Sequence, residues 1–132
     1  MRGWRIFFLV AGVFNLVGGA VGFFVFENHL TDAGLPAPVY RHPFQLLFLL
    51  VIILGVGYLM VWRDPIRHRG IVWIGLLTKV AGWAISLHAL RIGELPASGA
   101  WQPWVVDFPW ILVFGAFLYQ TRGDGIPLGD IP

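Results

Sequence analysis

The chain has no cysteine and a single lysine, and only 12% of its 132 residues are charged. The absence of cysteine excludes disulfides, thiolate metal sites and cysteine nucleophiles. Soluble domains carry about 25% charged and roughly 45–50% apolar residues, whereas 58% of this chain is apolar, which indicates a protein solvated by lipid. The formal charge of +2 does not indicate nucleic-acid binding, because the arginines lie beside hydrophobic segments and form no basic stripe.

Four apolar runs are long enough to cross a bilayer, whose hydrocarbon core of about 30 Å needs about 20 helical residues. They predict an all-α fold, a polytopic membrane four-helix bundle with up-down-up-down order, formed as one domain by residues 1–132. The first run contains 21 uncharged residues, which is longer than the apolar region of about 7–15 residues in a signal peptide. The predicted spans cover about residues 6–26, 44–62, 71–90 and 104–119.

The arginines predict the orientation of these spans, because Lys and Arg are enriched in cytoplasmic loops. Only Arg41 and Arg91 fall on the other side, which becomes the outer one. The distribution predicts a multi-pass membrane protein with both termini cytoplasmic. The six arginines on the predicted cytoplasmic side are Arg2, Arg5, Arg63, Arg67, Arg69 and Arg122.

The first and third predicted spans each carry small residues at spacings of three and four, along one helix face. Lipid supplies no hydrophobic drive for helices to associate, so such faces favour close backbone contact, and we expect the two faces to pack on each other. Asn15 lies within the first face and is expected to hydrogen-bond across the interface, since an unpaired amide in hydrocarbon is costly. The predicted helix-packing residues are Gly12, Gly18, Gly19, Gly22, Gly75 and Gly82.

Two charged residues lie inside predicted spans, Lys79 in the third and Asp107 in the fourth. A charge near mid-membrane costs about 2.5–3.5 kcal/mol on insertion scales, so Lys79 either extends to the cytoplasmic interface or has an internal partner, such as Asn15 or a carboxylate. If it extends to the interface, Lys79→Met is expected to be tolerated. Asp107 either caps a helix that begins at Phe108 or, if the helix begins near Pro103, points into the bundle near its outer end.

Histidines contribute to the one candidate ligand site. His42, His88, Arg91 and Asp107 map to the outer side of the predicted topology and are expected to line a polar cup. Imidazole and carboxylate groups bind metals, and two facing histidines bind a haem, which favours His42 and His88 as the pair. No metal signature such as HExxH is present, so no metal ligand, catalytic residue or cofactor is assigned.

Several short motifs suggest a family resemblance. Asn15 precedes glycines, Gly57-Tyr58 leads to Asp64-Pro65, Gly75 precedes Lys79, and Asp107 follows. With these motifs the chain loosely resembles the DoxX-like group of small bacterial four-helix membrane proteins, over most of its length. The resemblance implies a location in the bacterial inner membrane. Some members of that group are linked to quinone or sulfur redox chemistry, so the resemblance implies an accessory redox role, but no cofactor-binding residue is matched.

The leading functional prediction is a non-enzymatic integral membrane protein, either free-standing or an accessory subunit whose glycine faces contact a larger complex. The alternative is a small-molecule, metal or haem site in the outer polar cup, belonging to an enzyme or a transporter, with Lys79 and Asn15 beneath it. The expected partners are the lipid bilayer and either other membrane-protein subunits or further copies of the chain. Nucleic acid is not an expected partner.

Overall fold

The computed structural model describes residues 1–125, which form helices and turns and contain no strand. A 3-10 turn at Ala97–Gly99 and a π-helical turn at Pro103–Asp107 precede the last helix, so that Ala97–Gln120 forms a fourth apolar segment. The predicted all-α fold is confirmed. The four long helices are α1 (Arg2–Asp32), α2 (His42–Arg63), α3 (Arg69–Arg91) and α4 (Phe108–Gln120).

Each of the four segments is long and apolar enough to cross a membrane. Their most apolar 18-residue windows have mean hydropathies of 2.1, 2.6, 1.6 and 1.2 in chain order. Large apolar side chains also lie on the surface: Phe24 is 75% exposed and Leu77 is 64% exposed. An apolar surface of this extent is typical of contact with a membrane or a partner.

An ion pair links the start of α2 to the last turns of α1. Arg41, just before α2, pairs with Glu27 of α1 at 2.9 Å between Nε and Oε1. Pro43 lies in the first turn of α2, where its missing N–H removes no helical hydrogen bond. Val25 has non-helical backbone angles (φ −123°, ψ 17°), so the last turns of α1 follow a kink.

Glycines bring the backbones of α1 and α2 together. A Cβ atom added at Gly12 would lie 2.6 Å from the Leu59 side chain, and one added at Gly55 would lie 3.0 Å from the Gly12 carbonyl oxygen. Further along, a Cβ atom added at Gly22 would overlap the Phe48 ring. Contacts late in α1 are made with residues early in α2, so these two helices run in opposite directions.

This packing corrects the expectation that the glycine faces of the first and third spans meet. Gly75 of α3 instead faces the Tyr58 hydroxyl of α2, to which an added Cβ would lie at 2.5 Å, and the Phe114 ring, at 3.0 Å. α1 packs on α2 because Gly55 removes the side chain that would hold the two backbones apart. Gly18 has no atom within 4 Å of an added Cβ and lies on the exposed side of α1.

The main cluster of buried side chains lies at the end of the bundle that carries the N-terminus. Phe8, Tyr58, Phe114 and Phe117 are all at most 2% exposed there. The Phe8 ring stacks on Phe114 with centroids 6.1 Å apart and meets Phe117 edge-on at 5.0 Å. Tyr58 contacts both Phe8 and Phe114, so these aromatic contacts join α1, α2 and α4 at one end.

Arg5 joins α1 to the end of α2. Its Nε donates to the Trp62 carbonyl at 3.0 Å, and its Nη2 donates to the Arg63 carbonyl. The last carbonyls of a helix have no partner within the helix and carry partial negative charge, so a guanidinium group stabilises them. This contact fixes the position of Arg5 relative to the end of α2.

Candidate functional site

Lys79 and Asp107 form an ion pair between α3 and the start of α4. Lys79 Nζ lies 3.3 Å from Asp107 Oδ1 and donates a long hydrogen bond, of 3.4 Å, to the Val106 carbonyl oxygen. The Lys79 and Asp107 side chains are 25% and 15% exposed, respectively. Each charge is therefore satisfied mainly by the other one.

Both charges lie near the middle of apolar segments. Lys79 is about 15 Å along the α3 axis from Arg69, at about 1.5 Å per residue. Asp107 is the last residue of the π turn and lies near the middle of the segment Ala97–Gln120. The pair is thus remote from both ends of the segments that carry it.

The π turn accounts for the position of Asp107. Pro103 begins the turn, and the Phe108 N–H donates to the Pro103 carbonyl, one residue further back than in an α-helix. Pro109 has no N–H, so the regular ladder of helical hydrogen bonds is interrupted at this point. The Lys79 ammonium group supplies a donor to a carbonyl of this stretch.

Glycine and tryptophan residues border the pair. A Cβ atom added at Gly82 would lie 3.4 Å from Asp107 Oδ2, so the carboxylate rests against the backbone of α3. The Lys79 ammonium lies 5.8 Å from the centre of the Trp110 ring, within range of a cation–π contact. The pair is therefore enclosed by α3 on one side and by an aromatic ring on another.

Trp83, which follows Gly82, carries an unmatched polar group. Its ring packs against Trp104 and Phe108, with centroids 5.7 and 6.0 Å away. Its indole Nε1 is buried and has no hydrogen-bond partner within residues 1–125. Leaving such a donor unpaired costs about 1–3 kcal/mol.

Comparison with known proteins adds nothing to this geometry. No protein-family model, curated protein or solved structure matches this chain. The resemblance to DoxX-like proteins stays a prediction from short motifs.

The geometry shows how the two charges inside the apolar segments are placed. Asp107 occupies the N-cap position of α4, but its side chain makes no capping hydrogen bond. The helical path begins at Pro103 instead, and the carboxylate points to Lys79. The Lys79 ammonium group therefore has an internal carboxylate partner near the middle of α3, which is the second of its two predicted alternatives.

Asn15 is not the partner of Lys79. Its Nδ2 donates to the Ala11 carbonyl of α1 at 2.9 Å, so the expected hydrogen bond across the helix interface is not formed. The physical reason is that a short amide side chain reaches the carbonyl one turn back in its own helix more easily than a neighbouring helix. Asn15 still lies at the contact with α2, because its Cβ would be 3.1 Å from a Cβ added at Gly55.

One of the four residues predicted to line the outer cup, Asp107, is paired with Lys79. The Asp107 carboxylate lies beside Gly82, which precedes His88 by about 9 Å along α3. His42, His88 and Arg91 are exposed, and no group of three or more His, Asp or Glu residues within residues 1–125 is arranged to hold a metal. The structure therefore groups Asp107 with Lys79.

The sequence contained signals for this site. Lys79 is the only lysine of the chain, and Asp107 is the only carboxylate inside a predicted span, so charge balance alone favours their pairing. Sequence reasoning did not single out Trp83 or Trp110 as neighbours of the pair. For Trp83 the available signal is its position in the middle of a span, away from the interfaces where tryptophan is enriched.

Proposed function

We propose that the protein is a small multi-pass integral membrane protein of the bacterial inner membrane. In this proposal four spans follow up-down-up-down order and both termini are cytoplasmic. The observation that carries the proposal is an apolar surface along all four segments, combined with arginines at one end. Such a surface is stabilised by lipid, and the arginines are favoured on the cytoplasmic side.

Hydrogen bonds from arginine side chains to backbone carbonyls support this orientation. Arg5 donates to the Arg63 carbonyl, and Arg69 Nη1 donates to the Thr121 carbonyl at 2.9 Å, next to Arg122. Arginines from α1, the end of α2, the start of α3 and the end of α4 thus gather at the same end of the bundle. In the proposed topology all of them meet the cytoplasmic headgroups.

We further propose that the protein is non-enzymatic and free-standing. The glycines of α1 and α2 that permit close backbone contact face each other inside the bundle, which leaves Gly18 as an exposed small residue of α1. Polar side chains also bond within their own helices: Asn15 Nδ2 donates to the Ala11 carbonyl, and Thr78 Oγ1 donates to the Ile74 carbonyl at 2.8 Å. These groups serve packing rather than a shared reaction centre.

Topology reporters test the membrane proposal. Fusions at positions 35 and 97 should report the outer side, and fusions at position 66 and at the C-terminus should report the cytoplasm. Alkaline carbonate should leave the protein in the membrane fraction. A C-terminus that reports the outer side would contradict an even number of spans.

Purification in a mild detergent tests the free-standing role. Native mass spectrometry should give a mass of 14.8 kDa or a multiple of it, with bound detergent or lipid and no other polypeptide. A second polypeptide present in a fixed ratio to the chain would favour the accessory subunit instead. The visible spectrum and the metal content of the same preparation show whether a haem or a metal is bound.

A second candidate function is a small-molecule site at the Lys79–Asp107 pair, in an enzyme or a transporter. The pair is not fully enclosed, and the neighbouring Trp83 Nε1 has no partner within the described residues. Ionisable residues inside a membrane commonly mark a substrate or proton path. A compound that co-purifies with the wild type in a fixed ratio and is lost from Asp107→Asn would favour this candidate.

A further inference from the structure

A cleft between α3 and α4 opens at the arginine-rich end of the bundle. Its outer part has a volume of about 210 Å³ and is lined in part by Arg69 and Arg122. An adjoining part of about 300 Å³ extends past Trp73 to Leu76 and Gly115. We propose that this cleft binds an anionic phospholipid, with the phosphate at the two arginines and an acyl chain in the apolar part.

The outer part provides donors for a phosphate. Arg69 is held in place by its Nη1, which donates to the Thr121 and Asp124 carbonyls at 2.9 and 3.0 Å, while its other nitrogens make no hydrogen bond within residues 1–125. The Arg122 guanidinium lies 4.0 Å from the centre of the Tyr119 ring. Neither arginine pairs with a carboxylate of residues 1–125. Two guanidinium groups with available donors suit a phosphodiester, which accepts two parallel hydrogen bonds from each.

The lining of the cleft becomes more apolar along α3, away from Arg69. Leu76 follows Arg69 by about 10 Å along α3. On the opposite wall, a Cβ atom added at Gly115 has nothing within 4 Å, so the missing side chain leaves this part of the cleft open. Trp73 is 53% exposed and lies between the charged mouth and the apolar interior, as aromatic residues do at the level of lipid headgroups. The cleft therefore offers a charged site for a lipid headgroup, followed by an apolar site for an acyl chain.

The charge at this end favours an anionic lipid over a zwitterionic one. This step rests on the proposed membrane orientation, in which the end faces the cytoplasmic leaflet. Within the described residues, six arginines gather here against Asp64 and Asp124. Clusters of basic residues next to the cytoplasmic leaflet attract anionic headgroups, whereas they repel the ammonium group of a zwitterionic lipid.

Lipid retention by the purified full-length protein tests the headgroup end. We expect native mass spectrometry to show bound phosphatidylglycerol, and added phosphatidylglycerol to raise the thermal midpoint more than phosphatidylcholine does. The double variant Arg69→Gln, Arg122→Gln should retain about tenfold less phosphatidylglycerol, because it loses the charge-assisted hydrogen bonds. Arg67→Gln is the matched control, since Arg67 is exposed at the same end but does not line the cleft.

Gly115→Leu tests the acyl end without changing charge. The added side chain enters open space, so the protein should fold, and it should lower phosphatidylglycerol retention by filling the cleft. This variant decides the matter if the double arginine variant does not fold. Retention equal to that of the wild type in the folded variants would overturn the proposal.

Two further outcomes separate the possible causes of failure. An equal rise of the thermal midpoint with inorganic phosphate alone would identify a free-phosphate site and overturn the lipid assignment. Release of the protein from membranes by alkaline carbonate, measured before any lipid is added, would overturn the membrane proposal itself. A protein that stays in the membrane but binds no phosphatidylglycerol would overturn the lipid site alone.

Discussion

Replacing one member of the Lys79–Asp107 pair should destabilise the protein strongly. At the observed separation of 3.3 Å and an effective dielectric constant of about 20, the attraction is about 5 kcal/mol before desolvation is subtracted. Removing one member of a fully buried pair costs about 3–5 kcal/mol, because the other charge is left unpaired. Since the side chains are 25% and 15% exposed, we expect each of Lys79→Met and Asp107→Asn to lower the free energy of unfolding by about 2–3 kcal/mol.

A double-mutant cycle measures this interaction. Unfolding in mixed micelles, followed by circular dichroism, gives the free energies of unfolding of the wild type, Lys79→Met, Asp107→Asn and the double variant. The double variant should be about 2 kcal/mol more stable than the sum of the single losses predicts, because it leaves no unpaired charge. Arg91→Met is the control, since it removes an exposed positive charge from α3 and should change stability by less than about 0.5 kcal/mol.

The cycle also has a clear negative outcome. If Lys79→Met unfolds like the wild type and the two substitutions are additive, the ion pair contributes nothing. The lysine would then reach the cytoplasmic interface, as a tolerated Lys79→Met variant would indicate. Loss of folded protein in Arg91→Met to the same degree would show instead that any positive charge on α3 matters.

Two other contacts carry predictions. Gly55→Ala should lower the free energy of unfolding by about 1–3 kcal/mol, because its Cβ would lie 3.0 Å from the Gly12 carbonyl oxygen, and Gly18→Ala should have little effect. Unfolding of both variants in micelles checks this, and equal effects would contradict the α1–α2 contact. Arg5→Gln should cost about 1 kcal/mol, because the last carbonyls of α2 lose their guanidinium donors, and Arg2→Gln should cost less. Thermal unfolding gives the comparison, and a larger loss for Arg2→Gln would refute it.

The candidate site could be predicted only in part. Its two charges are recognisable because an ionisable residue inside an apolar run is conspicuous in any sequence. Their pairing depends on the π turn between Pro103 and Asp107, which directs the carboxylate toward α3. Asn15 shows the limit of such reasoning. Its place on the glycine face can be read from the sequence, but the sequence does not show whether its amide bonds to a neighbouring helix or to the Ala11 carbonyl of its own helix.

The sequence by itself determined the number, order and approximate position of the helices. That information is local, because the apolar character of a run adds up residue by residue and charged or proline residues mark its ends. Only the tertiary structure decided which helices meet: Gly12 packs at Gly55, and Gly75 faces Tyr58. In the proposed membrane topology no hydrophobic drive selects one helix pair over another, so the choice depends on the fit of backbones and side chains in three dimensions.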